Sequence, residues 1–149
     1  MISKILLPTD GSKTSQKAAR FASDLAKMSK ASIIILSVID HNTMIGQTVP
    51  ARKTARHLIE PIEDYLREAT ESFVGIIKKI CDEKKVKSEQ VIVRGHPVEE
   101  ILKAAQRTKA DLIIMGSHGR SALTAALLGS VTYGVIHKES KIPVLIVRR

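Results

Sequence analysis

The chain has 149 residues, enough for one domain with a layered core, and lysine plus arginine exceed aspartate plus glutamate by 24 to 15, a formal charge of +9. Because 44% of the residues are apolar, the composition is typical of a globular protein and excludes disordered and fibrous classes. The longest apolar stretch, residues 33–39, is far shorter than the roughly 18 to 20 residues of a membrane helix, so we expect no membrane span and no membrane partner.

The first residues lack the long apolar segment and the cleavage site of a secretory signal, so we expect a cytoplasmic protein. The single cysteine, Cys81, lies on the apolar face of a predicted helix, where we expect it to be buried and inert. No linker or internal repeat divides the chain, which predicts one domain over residues 1–149.

Five short runs predict strands, and most are nearly continuous in isoleucine, leucine and valine, as in a parallel sheet buried on both faces. They are Lys4 to Pro8, Ser32 to Val38, Gln90 to Arg94, Asp111 to Met115 and Val144 to Val147.

Helical periodicity fills the segments between these strands. The first predicted helix runs from an N-cap at Ser12 to Met28, the second begins near Pro61, the third at Pro97 and the fourth near Ser130. The inward positions predicted for the first helix are Ala18, Phe21, Ala22, Leu25 and Ala26; the second helix carries Phe73 and either Ile76 or Ile77 inward.

Strands that alternate with helices predict a doubly wound α/β domain, an open parallel sheet covered on both faces. Such sheets bind ligands beyond the carboxyl ends of their strands. Residues 40–60 form a long connection, which we interpret as either a variable surface loop or a mobile lid.

The positive charge is concentrated in the second half of the chain, where residues 76–149 carry 14 basic and 7 acidic side chains, a net of +7. Lysines at positions 78, 79, 84 and 85 form the far end of the second predicted helix, where cations suit the helix dipole. A nucleic-acid patch is the alternative interpretation.

The segment after the fourth strand carries the clearest chemical signal. Gly116 and Gly119 follow a buried strand, where glycine permits a sharp turn and a close approach to a ligand, and Gly129 and Ser130 open the next helix. The N–H groups of that helix end and the Ser130 hydroxyl predict an anion site. The chain has no P-loop motif and no dinucleotide-binding G-x-G-x-x-G.

On these residues the chain resembles the universal stress protein family, whose nucleotide-binding members carry Gly, two residues, Gly, nine residues, then Gly and Ser or Thr. Gly116, Gly119 and Gly129-Ser130 match that spacing. The likeness extends to the opening residues 5–12, the Gly95-His96-Pro97 turn and the closing residues 141–147.

The resemblance implies a flavodoxin-like, Rossmann-like domain with strand order 3-2-1-4-5 that binds ATP, with Mg²⁺ held chiefly by the phosphates. It implies that Val38 offers backbone hydrogen bonds to adenine and that Asp10 lies by the ribose and phosphates. The remaining residues implied for the site are Pro8, Thr9, Met115, Gly116, His118, Gly119, Gly129, Ser130 and Val131. From its charge we add Arg120 as a partner of the terminal phosphates.

Asp10 has an alternative role as a cap of the first helix or turn, and His118 as a loop residue facing solvent. The sequence offers no clear base to orient a nucleophile, so we expect ATP binding with at most slow hydrolysis, in a stress-response or signalling module. Two other functions stay open: a partner-binding scaffold, and a basic nucleic-acid-binding protein, which the scarcity of aromatic residues disfavours.

The resemblance also implies a homodimer through the last strand, Val144 to Val147. That strand lies at an edge of the implied sheet and is almost wholly apolar, and an exposed edge of this kind is a liability unless it is covered.

Overall fold

The computed structural model describes residues 1–40, 56–119, 128–139 and 141–149. In this part of the chain five strands alternate with four helices. The strands are β1 (Lys4–Pro8), β2 (Ser32–Ile39), β3 (Ser88–Arg94), β4 (Leu112–Gly116) and β5 (Val144–Val147). The helices are α1 (Lys13–Ser29), α2 (Arg56–Glu83), α3 (Pro97–Thr108) and α4 (Ser130–Lys138).

The strands form one parallel sheet in the order β3-β2-β1-β4-β5, which confirms both the predicted fold class and the strand order that the family resemblance implies. The strand pairs are in register at their amino ends, where Lys4 lies opposite Ser32 and Ile5 opposite Leu112. β3 and β5 are the two edges, and β1 lies at the centre between β2 and β4.

Alternate residues of the central strands enter two separate cores, as the pleat of a strand buried on both faces requires. Ile5 and Leu7 pack with α1 and α2 on one face, whereas Leu6 packs with α3 and α4 on the other. Cys81 is fully buried in the first core, as predicted, where its Sγ accepts a hydrogen bond from the Ser23 hydroxyl at 3.5 Å.

Two predictions about the helices were wrong. The second helix begins at Arg56 rather than near Pro61, because a proline removes one backbone donor without preventing the residues before it from being helical. Phe21 was predicted to face inward but is 45% exposed, because the inner face of α1 is filled by alanines that bring the helix close to the sheet.

On α2 the inward residue is Ile77, and Ile76 is exposed. Phe73 is half-buried against the loop after β1. Of the connection at residues 40–60, positions 41–55 lie outside the described residues, and the last five belong to α2. No helix in the described ranges is both long enough and apolar enough to cross a membrane.

Asp111 joins β1 to β4 at the amino end of the sheet. Its Oδ2 accepts hydrogen bonds from the backbone N–H of Ser3 at 2.8 Å, the Ser3 hydroxyl at 2.8 Å and the backbone N–H of Lys4 at 2.9 Å. These bonds stabilise the carboxylate and so lower the pKa of Asp111 below its usual value. The bond from the Ser3 N–H makes the largest contribution.

Three helices are followed by a lysine in the left-handed conformation. Lys30 after α1, Lys85 after α2 and Lys109 after α3 have φ of 59°, 58° and 53°. The next residue in each case donates its N–H to a carbonyl five residues back, the bond that closes a Schellman motif. Glycine is the usual residue here, because a side chain in this conformation costs about 1 to 2 kcal/mol.

We therefore expect Lys30→Gly to raise the free energy of unfolding by about 1 kcal/mol, since it relieves the left-handed strain. Lys27→Gly is the matched control: Lys27 is exposed in the last turn of the same helix, where glycine lowers stability by about 1 kcal/mol. Urea denaturation of both variants measures the two effects, and a loss of stability in Lys30→Gly would contradict this account.

Candidate functional site

A cavity of about 380 Å³ opens at the carboxyl end of the sheet, beyond β1, β2 and β4. This is the place where doubly wound sheets bind ligands, and the volume lies within the range of small-molecule sites, roughly 300 to 1,000 Å³. The lining residues are Pro8, Thr9, Asp10, Ser15, Leu36, Val38, Pro97, Ile101, Met115, Gly116, His118, Gly119, Leu128, Gly129, Ser130, Val131 and Thr132.

The cavity exists because β1 is shorter than its neighbour β2. β1 ends at Pro8, opposite Leu36, whereas β2 continues to Ile39 beside β3. Leu36 accepts a hydrogen bond from Thr9 N–H on the β1 side at 2.8 Å, and carbonyl directions alternate along a strand. The carbonyl of Val38 therefore also faces the β1 side, past the end of that strand.

The loop after β1 is held by its own side chains. Asp10 Oδ1 accepts the N–H of Ser12 at 3.0 Å, and the Ser12 hydroxyl caps α1 by accepting the N–H of Ser15 at 3.2 Å. Gly11 has a φ of 78°, and a Cβ there would lie 2.5 Å from Phe73 Cγ, so this position requires glycine.

Asp10 therefore has a structural bond and also a place in the cavity. Its second oxygen, Oδ2, would lie 2.6 Å from a Cβ built on Gly119, so the carboxylate reaches across from β1 to the segment after β4. The predicted N-cap at Ser12 is confirmed, and Asp10 bonds the turn after β1, which is one form of the alternative role that the sequence left open for it.

The amino end of α4 differs from that of α1 because its N-cap is Gly129, which has no side chain to cap the helix. The first N–H groups of an α-helix have no partner inside the helix. In α4 these belong to Ser130, Val131 and Thr132, and all three residues line the cavity. The arrangement presents backbone donors and the positive end of a helix dipole to whatever occupies the cavity.

Two hydrogen bonds fix this helix end against residues 116–119. Gly129 N–H donates to the Ser117 carbonyl at 2.7 Å, and the Thr132 hydroxyl donates to the Gly116 carbonyl at 2.9 Å. Ser117 N–H in turn donates to the Val147 carbonyl of β5 at 2.9 Å. The main chain of Ser117 thus connects α4 with the edge of the sheet.

The glycines around β4 are not needed for the sharp turn that we predicted, whereas their close approach to a ligand stays a prediction. None of Gly116, Gly119 and Gly129 has φ in the left-handed range, so the turn itself does not need them. A Cβ on Gly116 would lie 2.9 Å from Thr14 Cγ2 and 3.1 Å from the Thr14 carbonyl carbon. Gly116 therefore allows α1 to approach β4, and Gly119 leaves room for the Asp10 carboxylate.

His118 is half-buried in the cavity wall. Its Nδ1 lies 2.8 Å from the hydroxyl of Ser117, a residue that is only 1% exposed. This contact orients the imidazole. His118 therefore faces the cavity and does not extend into bulk solvent. The other ring nitrogen, Nε2, can donate or accept according to the tautomer.

Eleven of the twelve predicted site residues line this one cavity, and the twelfth, Arg120, lies outside the described residues. Sequence reasoning missed six lining residues: Ser15, Leu36, Pro97, Ile101, Leu128 and Thr132. Leu36 could have been predicted from the sequence, since it lies two residues before Val38 on the same face of a strand. Pro97 and Ile101 share one face of α3, whose packing beside the cavity no local pattern reveals.

No group of three or more histidine, cysteine, aspartate or glutamate side chains suited to a metal ion occurs among the residues that the structure describes. Asp10 is the acidic residue that lines the cavity.

Comparison with known proteins gives one consistent family. The family model of the universal stress proteins matches residues 1–148. In Methanocaldococcus jannaschii, universal stress protein MJ0531 is 37% identical over 146 residues, which cover 98% of this chain and 82% of the relative. Universal stress protein MJ0577 of the same organism is 35% identical over 157 residues, which cover 100% of this chain and 96% of the relative.

Solved structures agree with the sequence comparison. The structure of MJ0577 superposes with a TM-score of 0.84 at 36% identity, covering 100% of this chain and 97% of the other. A universal stress protein solved in complex with cAMP superposes with a TM-score of 0.63 at 29% identity, covering 99% of this chain and 97% of the other.

We expect Gly116→Ala to lower the free energy of unfolding by about 1 to 3 kcal/mol, because the new methyl group meets the Thr14 backbone as well as its side chain. Gly75→Ala is the matched control: nothing lies within 4 Å of its Cβ position in α2, and alanine there raises stability by up to about 1 kcal/mol. Chemical denaturation distinguishes the two, and equal stability of Gly116→Ala and the parent would show that α1 adjusts.

Proposed function

The chain belongs to the universal stress protein family, and we propose that it binds ATP with Mg²⁺ in the cavity at the carboxyl end of the sheet. The observation that carries the proposal is the uncapped amino end of α4, which opens on that cavity. The solved relative in complex with cAMP supports an adenine nucleotide as the ligand class. We assign the protein a nucleotide-dependent role in a stress response.

In this proposal the phosphates bind at the amino end of α4. The N–H groups of Val131 and Thr132 and the hydroxyl of Ser130 donate to phosphate oxygens, and the positive end of the helix dipole adds to the attraction. His118 lies beside this helix end, with its Cα next to Gly129, and contributes its imidazole to the same phosphate site. Gly119 and Gly129 leave the main chain open for this approach.

The adenine and ribose occupy the space past the end of β1, where β2 continues beyond it. The carbonyl of Val38 accepts a hydrogen bond from the adenine amino group, with the apolar walls of Pro8 and Met115 against the ring. Asp10, in the loop after β1, extends its carboxylate towards Gly119, where it reaches the ribose and the bound cation. Thr9 completes the wall and is fixed by the Ser15 hydroxyl, to which it donates at 3.1 Å.

The Mg²⁺ ion is bound chiefly by phosphate oxygens and waters, with Asp10 as a protein carboxylate within reach. Magnesium commonly keeps several waters and takes only one or two carboxylates from the protein. In this proposal the Asp10 carboxylate is committed to the ribose and the cation, which leaves it poorly available to orient an attacking water. We therefore propose binding with at most slow hydrolysis.

Gly129→Asp tests the phosphate site without unfolding the protein. An aspartate at the N-cap accepts hydrogen bonds from the first N–H groups of α4, so stability changes by a few tenths of a kcal/mol at most, while its carboxylate occupies the phosphate position. Loss of charge-assisted hydrogen bonds worth about 1.5 to 3 kcal/mol weakens Mg-ATP binding about tenfold to a hundredfold, measured by calorimetric titration.

Gly75→Asp is the control, since it adds the same charge at an open site on α2 and should bind Mg-ATP as the parent does. Gly129→Asn caps the helix without the charge and separates hydrogen-bond competition from repulsion. The parent protein is also denatured and any released nucleotide identified by mass spectrometry. A parent that neither releases nor binds nucleotide would overturn the proposal and favour the partner-binding scaffold.

We also propose that a second copy of the chain pairs with β5. This strand has β4 as its neighbour on one side, and the carbonyls of Pro143 and Val147 are bonded on the β4 side. Because carbonyl directions alternate, the N–H and carbonyl groups of Val144 and Ile146 face outward. Outward backbone groups on an apolar edge strand are a template for another strand.

Light scattering at micromolar concentration should show a dimer for the parent and a monomer for Ile146→Pro, which removes an outward donor and leaves the bonds to β4 in place. Circular dichroism checks that the variant is folded. A monomeric parent, or a folded Ile146→Pro that remains a dimer, would show that β5 does not carry the interface.

A further inference from the structure

The three lysines in the left-handed conformation lie at equivalent positions of the sheet. Extending the strand register back by two or three residues places Lys85, Lys30 and Lys109 level with one another before β3, β2 and β4. Neighbouring strands are about 4.8 Å apart, so this row of exposed lysines spans roughly 15 Å across the amino end of the sheet. Lys87, also exposed, lies beside it before β3.

These four lysines, which we call the amino-end lysines, form no ion pair within the described residues. Three acidic residues nearby are already engaged: Asp24 pairs with Lys84, Asp82 pairs with Lys78, and Asp111 accepts three hydrogen bonds from the β1 end. Glu83 at the end of α2 and Glu89 at the start of β3 are exposed and offset two of the four charges. The surface at this end of the sheet is therefore positive.

Cations at a carboxyl end suit the helix dipole, so lysine here has a folding role, but that role does not require the left-handed position itself. Glycine closes a helix more easily in the left-handed conformation, yet lysine occurs at three equivalent sites. Backbone strain that is retained in this way commonly marks a functional surface. The nucleotide cavity does not use this charge either, because it lies at the opposite end of the strands.

An apolar side chain accompanies the lysines. Met28, in the last turn of α1 and two residues before Lys30, is 83% exposed. The four aromatic residues of the chain, Phe21, Tyr65, Phe73 and Tyr133, all lie away from this end of the sheet. A row of lysines at one level, with an exposed methionine beside it, suits a flat anionic surface that has an apolar interior. The backbone of a nucleic acid is grooved and wholly polar, and offers nothing for the methionine to contact.

We propose that the amino-end lysines and Met28 dock the protein on an anionic phospholipid bilayer. Lysine ammonium groups pair with the lipid phosphates while Met28 enters the boundary between headgroups and acyl chains. Surface docking of this kind needs no membrane-spanning helix, but it departs from the expectation, drawn from the sequence, that the protein has no membrane partner. It leaves the cavity at the carboxyl end of the sheet facing away from the bilayer and accessible to its ligand.

The test is co-sedimentation of the full chain with vesicles of phosphatidylcholine, alone or mixed with phosphatidylglycerol. We expect binding to the mixed vesicles, weakened by salt, and none to phosphatidylcholine alone. The triple variant Lys30→Gly, Lys85→Gly, Lys109→Gly keeps the left-handed conformation and should fold at least as well as the parent. Each lysine near an anionic surface strengthens binding about fivefold, so the triple variant should bind the mixed vesicles on the order of a hundredfold more weakly than the parent.

The control removes the same charge elsewhere, with Lys13→Gln, Lys17→Gln and Lys103→Gln, all exposed outside this end of the sheet, and should bind vesicles as the parent does. Met28→Ser should weaken vesicle binding and leave binding to duplex DNA unchanged. The proposal is wrong if the parent does not bind anionic vesicles. It is also wrong if both triple variants lose vesicle binding to the same extent, because net charge alone would then explain the binding. It is also wrong if duplex DNA binds more tightly than vesicles and depends on the same lysines, which would make nucleic acid the partner.

Discussion

The site depends on the unequal lengths of the central strands. β1 ends at Pro8 while β2 continues past it, so the middle of the sheet has a notch at its carboxyl edge. The cavity opens at that notch: β2 borders it on one side, Thr9 and Asp10 line it after β1, and Gly116, His118 and Gly119 face it from the β4 side. Residues of α3 and of the amino end of α4 complete the walls. A β1 strand as long as β2 would fill the space with its own backbone.

Local sequence patterns predicted the strands and the helix starts at Ser12, Pro97 and Ser130, because apolar runs, N-caps and prolines act through neighbours in the chain. They failed where packing between elements decides. Phe21 has helical spacing like its alanine neighbours, yet the space between α1 and the sheet admits only small side chains. The helix before Pro61 carries no pattern strong enough to separate it from a loop.

The candidate site follows a similar division. Glycine spacing indicated which backbone segments come together, but the reason for the glycines could not be read from it. Gly116 is needed by Thr14 and Gly119 by Asp10, contacts between residues about a hundred positions apart in the chain. Ile101 belongs to a helix that is unremarkable in sequence and borders the cavity only because α3 packs on that face of the sheet.

Ser117 has a consequence for how the protein loses structure. Its backbone carbonyl holds the start of α4, and its backbone N–H is held by Val147 in a strand of only four residues at the edge of the sheet. Edge elements open more readily than core strands do, well below the free energy of global unfolding. When β5 detaches, Ser117 loses its tie to the edge of the sheet, although its bond to α4 and the pairing of β1 with β2 remain. The support beneath the α4 end therefore lasts as long as β5 stays in place, and pairing of β5 with a second copy would prolong it.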